Sequence, residues 1–444
     1  MTRIMIRALF ALSVLAAHPA SAADLLEVYR MALTSDPVYS AARASWQAGQ
    51  EKLPQGLAGL LPQATLSGST QYNDRDLRFR NPAIAGSQTQ YNSNSASVSL
   101  SQPLYRKQNL VAYDQGKTQV AIADAQLASA GQDLILRVAQ AYFDVLLAQD
   151  NVAFTQAQKT AIGQQLAQAK RNFEVGNATI TDTHEAQARY DLVTSQEIAA
   201  RNDLEVKNRA LEQLIGRASP KLSTLGKRFT PLPPDPQSMD QWVNLAHASG
   251  LPVRIALENL TLSSQEVERN RGAHYPTVDA FASYSNSGSG SGIQGGSGTD
   301  TRSKVVGLQL SIPLYQGGSV NSRVREAIAN EEKARQDLEN ARRSAELAAR
   351  SGYLGVTSGI AQVRALEAAL VSSQSSLDST RLGQEVGVRT QVDVLNAQQQ
   401  LFSARRDLAQ ARYNYILSLL RLIASSGKLT EADLQRVNAW LDNN

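Results

Sequence analysis

Cysteine is absent from all 444 residues, which excludes disulfides and a lipid-bearing cysteine behind a leader. Aromatic residues are scarce at 6%, too few for the two or three bulky cores that this length would otherwise suggest. Proline is missing between Pro103 and Pro220 and again after Pro313, so nothing there breaks a helix. The four histidines, His18, His184, His247 and His274, are scattered. No H-E-x-x-H, G-x-S-x-G or Walker-type loop accompanies them, so no catalytic constellation, cofactor or metal is implied. His184 reads as a solvated surface residue. Neither charge sign dominates. The formal charge is +4, and removing Arg3 and Arg7 with a leader gives 4 − 2 = +2. That balance implies no nucleic-acid partner. Past the leader no apolar run reaches the ~18 residues of a spanning helix, so none is expected.

Arg3, Arg7 and the apolar run Ile4 to Ala17 precede Ala20-Ser21-Ala22. This is a secretory signal with cleavage after Ala22 or Ala23, giving a leader of 1–23. A periplasmic, secreted or outer-membrane location follows.

The rest of the chain is duplicated. Val175-Gly176-Asn177-Ala178-Thr179-Ile180-Thr181-Asp182 returns as Val386-Gly387-Val388-Arg389-Thr390-Gln391-Val392-Asp393, a spacing of 386 − 175 = 211. Leu100-Ser101-Gln102-Pro103-Leu104-Tyr105 returns as Leu310-Ser311-Ile312-Pro313-Leu314-Tyr315, and Leu61-Pro62 is matched by Tyr275-Pro276. The repeats span 24–217 and 240–424. A Pro-rich linker (218–239) lies between them and a C-terminal segment (425–444) follows.

Each repeat opens with helical sequence interrupted by proline, at Asp36-Pro37 and at Leu251-Pro252, which predicts two short helices rather than one. Period-two alternation then predicts strands at about 64–73, 91–102, 277–286 and 304–312. Their length suits tilted strands crossing an outer membrane, where about 9–11 residues are needed. A half-buried soluble hairpin fits the local pattern equally well. Polar loops run from Asn73 to Gln90 and from Asn286 to Ser303. The second contains Gly295-Gly296-Ser297-Gly298-Thr299-Asp300, the opening of a calcium-binding nonapeptide, but one copy cannot build a β-roll and the stretch reads as a flexible loop.

Long helices are predicted at 104–173, 180–216, 314–383 and 390–423. Tyr113, Val120, Leu127 and Leu134 are seven apart, as are Leu395, Phe402, Ala409 and Ile416, which is coiled-coil spacing. In both repeated turns glycine ends one helix and Thr with an acid three residues on starts the next. Each is the tip of a helical hairpin.

Strands and hairpins leave the Pro103 and Pro313 junctions in opposite directions. If the strands are in a membrane, their edges must be paired, and four are too few to close a barrel that needs about eight. Several copies must then share one barrel.

These features together resemble the TolC family of outer-membrane export ducts. The carrying motifs are Leu61-Pro62-Gln63, Ala141-Tyr142-Phe143, both tip motifs, Ser311-Ile312-Pro313-Leu314-Tyr315-Gln316-Gly317-Gly318 and Ala411-Arg412-Tyr413-Asn414-Tyr415. The resemblance implies a mainly α fold with a transmembrane β part: a homotrimer with a twelve-stranded barrel in outer-membrane lipid, joined to a periplasmic α-helical barrel. It also implies a mixed α/β equatorial region, built here from 217–237 and 425–441. A periplasmic adaptor (membrane fusion protein) and an inner-membrane transporter, ABC or proton-driven, would dock on the tip turns, Val175, Gly176, Thr179, Val386, Gly387 and Thr390.

The family's entrance carries two acids one helical turn apart. The first matches Asp393 and the second falls on Asn396, so a single ring of three carboxylates is expected. The family's latch maps onto Arg389 reaching Thr181 and Asp182, and its aromatic partner position falls on Gln384. Spacing alone reads Asp182 and Asp393 as first-turn acids complementing the helix dipole. A rival reading is a periplasmic coiled-coil adaptor or scaffold without a pore, which leaves the four strands unexplained. Drug efflux and protein export remain alternative uses, because the energised partner chooses the cargo.

Overall fold

The structure is a computed structural model that describes residues 22–176, 178–226, 228–291 and 297–442. Most of the leader, Asn177 of the first tip and positions 292–296 of the Gly/Ser loop lie outside the described residues. The chain divides into two compact units, one of Met1–Ser40, Ala130–Ala246 and Leu347–Asn444, the other of Ala41–Ser129 and His247–Glu346.

Both proline interruptions are real breaks. α1 (Leu25–Ser35) stops at Asp36 and α2 (Pro37–Gln50) begins on the proline. A short α3 (Lys52–Ala58) leads into the first strand.

The second unit holds a four-stranded antiparallel sheet. β1 (Gln63–Leu77) pairs with β2 (Ser87–Tyr105). After them come α4 (Lys107–Glu174), α5 (Ile180–Ile215), β3 (Thr224–Leu225), α6 (Met239–Ser249) and α7 (Leu251–Arg271). β4 (Thr277–Ser289) and β5 (Thr299–Ser311) complete the sheet in the order β1-β2-β4-β5. Register puts Leu66 opposite Val98, Val98 opposite Tyr284 and Ala282 opposite Val306, so the apolar rows share one face. That face is bare: Leu66, Val306 and Leu308 are 77%, 84% and 71% exposed. The other face is largely hydroxyl, with Ser67 opposite Ser97, and Ser97 opposite Ser285.

The strands run further than the apolar alternation predicts, and the polar loops are correspondingly shorter. Thr299 and Asp300, at the end of the nonapeptide-like stretch, already pair with Ser289 and Gly288. Polar cross-strand pairs supply the reason. Tyr72 Oη donates to Gln90 Oε1 at 2.9 Å, and Gln90 Nε2 donates to Asp74 Oδ2 at 3.0 Å. β2 ends at a register shift between Pro103 and Tyr105, so Leu104 and Tyr105 finish a strand instead of starting a helix. In the second repeat the chain turns through Gly317 and Gly318 at φ 60° and 78° before the next helix starts.

α8 (Ser319–Glu385) and α9 (Gln391–Ser425) form the second hairpin; α10 (Glu431–Asn438) and β6 (Leu441–Asp442) end the chain. α4 has 68 residues and α8 has 67; at 1.5 Å per residue each is about 100 Å long. One stretch of α8 is apolar enough by composition to cross a membrane, against the expectation of no such helix. Its Ala349, Val356 and Val363, seven apart, are fully buried. Only 17% of the stretch is buried in the chain, so these heptad positions account for part of that composition.

In the first unit the linker and the C-terminal segment do meet. β3 pairs with β6, and Ala23 bridges to Leu222. Tyr142 Oη, buried, donates to the carbonyls of Ser223 at 2.7 Å and Ala23 at 3.3 Å. Phe229, Tyr415 and Trp440 pack edge to face around the same junction. The A-Y-F and A-R-Y-N-Y motifs thus serve this mixed α/β patch, with Phe143 stacked on Tyr413 at 5.5 Å.

Candidate functional site at the paired helical tips

Both repeated turns lie in the first unit. Two residues past the end of α4 stands Gly176, φ 78°, and two past the end of α8 stands Gly387, φ 81°, where a side chain would be strained. The next helix starts in both cases with the same reciprocal cap. Thr179 N–H donates to Asp182 Oδ2 at 2.9 Å, and Asp182 N–H donates to Thr179 Oγ1 at 3.3 Å. In the second copy Thr390 N–H donates to Asp393 Oδ2 at 2.9 Å, and Asp393 N–H donates to Thr390 Oγ1 at 3.2 Å. The Thr390 hydroxyl also donates to Asp393 Oδ2, at 2.9 Å. The backbone N–H of Thr390, then its hydroxyl, then the charge of Arg389 hold the Asp393 carboxyl below its ordinary range.

The two hairpins are packed on each other. Ile162 of α4, Val193 of α5 and Leu395 of α9 form one buried cluster with Tyr190 against it. Leu377 of α8 packs with Val394, Ala397 and Leu401 of α9. The turns themselves are exposed, with Val175, Val386 and Val388 at 69%, 66% and 76%.

The structure brings some predicted residues together and keeps others apart. Asp393 is half-buried and Asn396 exposed, both on the first turns of α9. Gln384 Nε2 donates to Gln391 Oε1 across its own turn. Arg389 lies over the end of α8, where a Cβ on Gly383 would meet its Cγ at 2.7 Å. Among the described residues no hydrogen bond or ion pair joins Arg389 to Thr181 or Asp182. Asp182 is engaged by its own cap, and Thr181 and His184 are exposed.

Two features escaped the sequence reading. Arg189 of α5 donates to Gln399 and Asn396 of α9. Glu197 of α5 is buried between Lys159 Nζ at 2.9 Å and Arg201 Nη2 at 2.7 Å. Those two partners, Lys159 first, pull its carboxyl down to about 2. The repeat itself holds a signal for Arg189: the first copy reads Ala186-Gln187-Ala188-Arg189, the second Ala397-Gln398-Gln399-Gln400. No group of three or more metal-ligating side chains stands together among the described residues.

A sheet with one bare apolar face and two long helical hairpins are the parts of an outer-membrane channel. The profile of the family described as Outer membrane efflux protein matches residues 28–217 and 242–428, and the chain belongs to that family. It is similar to the outer membrane protein TolC of Vibrio cholerae, at 35% identity over 95% of this chain and 94% of that one. It is also similar to the alkaline protease secretion protein AprF of Pseudomonas aeruginosa, at 35% identity over 99% and 92%. Among solved structures, the CmeC outer membrane channel of Campylobacter jejuni superimposes with a TM-score of 0.78 at 18% identity, covering 94% and 90% of the two chains. The profile matches the chain in two separate segments. Nothing in the fold or the relatives favours an adaptor without a pore.

Proposed function

We propose that three copies of this chain form an export duct, each giving four strands to a twelve-stranded barrel in outer-membrane lipid. The observation that carries this reading is the sheet. β1 and β5 each have an edge that no other described strand takes up, and the apolar face is bare. In lipid such edges must be paired, and β1 of one copy pairing with β5 of the next closes the ring. On α8, Leu347, Leu354 and Leu382, spaced by sevens, are 69%, 55% and 62% exposed, as a helix face met by a neighbouring copy requires.

The tips are then the periplasmic entrance. The exposed Val175, Val386 and Val388 offer apolar knobs to a periplasmic adaptor, which links the duct to an inner-membrane transporter. Asp393 contributes one of three carboxylates around the axis, whose field favours cations. Arg389, which meets neither Thr181 nor Asp182 in its own chain, reaches those of a neighbouring copy. The similarity to a protease secretion protein supports type I protein export; efflux of small molecules uses the same duct with a different energised partner.

Cross-linking of the purified protein in detergent tests the assembly. A trimer is expected, and a strictly monomeric species overturns it. Single-channel recording tests the entrance: Asp393→Ala lowers cation selectivity, and unchanged selectivity removes Asp393 from the pore.

A further inference from the structure

Arg189 belongs to neither cap nor turn. It stands on α5 in only one of the two repeats, because its counterpart 211 residues on is Gln400. From there it reaches α9, donating from Nη1 to Gln399 Oε1 at 2.7 Å and from Nη2 to Asn396 Oδ1 at 2.9 Å. Residues three apart on a helix are surface neighbours, so the two acceptors match the planar fork of a guanidinium. Glu185, one turn earlier on α5, lies 3.7 Å from Nη2, and the Arg189 side chain is only 28% exposed. The Ile162, Val193 and Leu395 cluster packs the same two helices together with α4.

Resting on the reading of the tips as the channel entrance, we propose that Arg189 is the clamp that holds the two hairpins of one chain together there, and that it controls whether a charge at position 396 contributes to the field of the pore. Moving α9 away from α5 must break both bonds, each made by a charged donor and therefore stronger than a neutral pair. The same fork decides the electrostatics. A carboxylate at 396 facing Arg189 would form an ion pair and cancel. With Asn396 the cation is offset by Glu185 behind it, and Asp393 is left to set the sign of the field.

Single-channel recording of the full-length protein in planar bilayers separates the parts. Arg189→Ala raises the open-to-closed ratio by about tenfold, which is about 1.4 kcal/mol. Arg189→Lys, a point charge without the fork, gives a smaller rise. Asn396→Asp alone lowers the open fraction, because it turns a hydrogen bond into an ion pair, and leaves cation selectivity near that of the parent. Arg189→Gln with Asn396→Asp raises cation selectivity above either single variant. Parent-like circular dichroism and bilayer insertion establish that each variant is folded. Gating of Arg189→Ala equal to the parent, with Asp393→Ala still shifting selectivity, overturns the clamp and leaves the entrance standing. Selectivity of Asn396→Asp equal to that of the double variant overturns the electrostatic part. If neither Arg189→Ala nor Asp393→Ala changes anything, the entrance itself is misassigned and the clamp falls with it.

Discussion

Arg137→Ala destabilises the chain more than Asp36→Ala, although both break the same ion pair. Asp36 ends α1, where its N–H donates to the Ala32 carbonyl at 2.8 Å, and it starts α2 by accepting from Tyr39 N–H at 2.9 Å. Arg137 of α4 grips it with Nη1 and Nη2 at 3.2 and 2.8 Å, while its Nε donates to Asp133 at 2.7 Å. The asymmetry lies in exposure: the Asp36 side chain is 3% exposed and that of Arg137 is 29%. Removing Asp36 leaves a guanidinium that keeps Asp133 and reaches water, so the loss is mainly a helix cap, about 1 kcal/mol. Removing Arg137 strands a carboxylate out of water. Breaking a buried pair that way costs about 3–5 kcal/mol, and partial exposure of the arginine reduces this to about 2–3 kcal/mol.

Thermal melting of the detergent-solubilised variants, followed by circular dichroism, measures the difference. Asp36→Ala with Arg137→Ala is expected to be milder than Arg137→Ala alone, since no stranded charge remains. The pH dependence has a definite sign. The hydrogen bond from Arg137 is the largest cause holding the Asp36 carboxyl below its ordinary 3.8. Its stabilisation is therefore full above that value and is lost as pH falls through the lowered one. The gap between parent and Arg137→Ala should narrow below pH 3.8. If Asp36→Ala costs as much as Arg137→Ala, or the double variant is the worst of the three, the reasoning is refuted.

Three further outcomes follow from single contacts. Gly387→Ala, at φ 81° with open space around it, costs about 1–2 kcal/mol of backbone strain; faster amide exchange in the first turn of α9 reports it, and unaltered exchange refutes it. Tyr413 Oη donates to Asp150 Oδ2 at 2.7 Å, and burial holds that carboxyl above its ordinary value. An acid raised in the folded state loses stability as pH rises through its folded value, so Asp150→Asn should raise the melting temperature at neutral pH while Tyr413→Phe lowers it; the opposite order counts against the assignment. Leu308→Arg, on the bare apolar face that the proposed barrel turns to lipid, costs up to about 2–4 kcal/mol and should reduce insertion, whereas Ser285→Arg on the hydroxyl face should not; equal behaviour in membrane fractions would show that the faces are misassigned.

The duplication made most of the fold legible. Two prolines in matching places marked two helix breaks, and identical glycine–threonine–acid spacings marked two tips. Strand ends were not legible, because alternation of apolar residues stops where Ser, Thr, Asn and Gln pairs take over the ladder, and hydroxyl pairs leave no hydropathy signal. α4 starts at Lys107 and not at 104 for a related reason: Leu104 and Tyr105 are held in β2 by the bulge beside Val278, a long-range pairing. At the tips, short-range chemistry was readable and long-range chemistry was not. The caps follow from residues three apart. The Arg189 contact spans 207 residues to Asn396 and exists only once the hairpins pack.

Asp393 had two competing readings, helix cap and pore acid, and the cap geometry reconciles them. In the proposed trimer three Asp393 carboxylates crowd one axis, and like charges that close raise each other's pKa, favouring protonation and loss of the field. The cap works the other way: Oδ2 takes the backbone N–H and the hydroxyl of Thr390, both of which stabilise the ionised form. The cap that starts α9 thus keeps the ring charged. Thr390→Ala removes the hydroxyl and keeps the backbone donor, so the Asp393 carboxyl rises toward its ordinary value and the ring is neutralised at a higher pH. Reversal potentials measured in a salt gradient as pH is lowered should therefore show cation selectivity failing earlier in Thr390→Ala than in the parent, with Thr390→Ser close to the parent because its hydroxyl is kept. Identical titrations of selectivity in Thr390→Ala and the parent would show that the cap does not govern the charge of the ring.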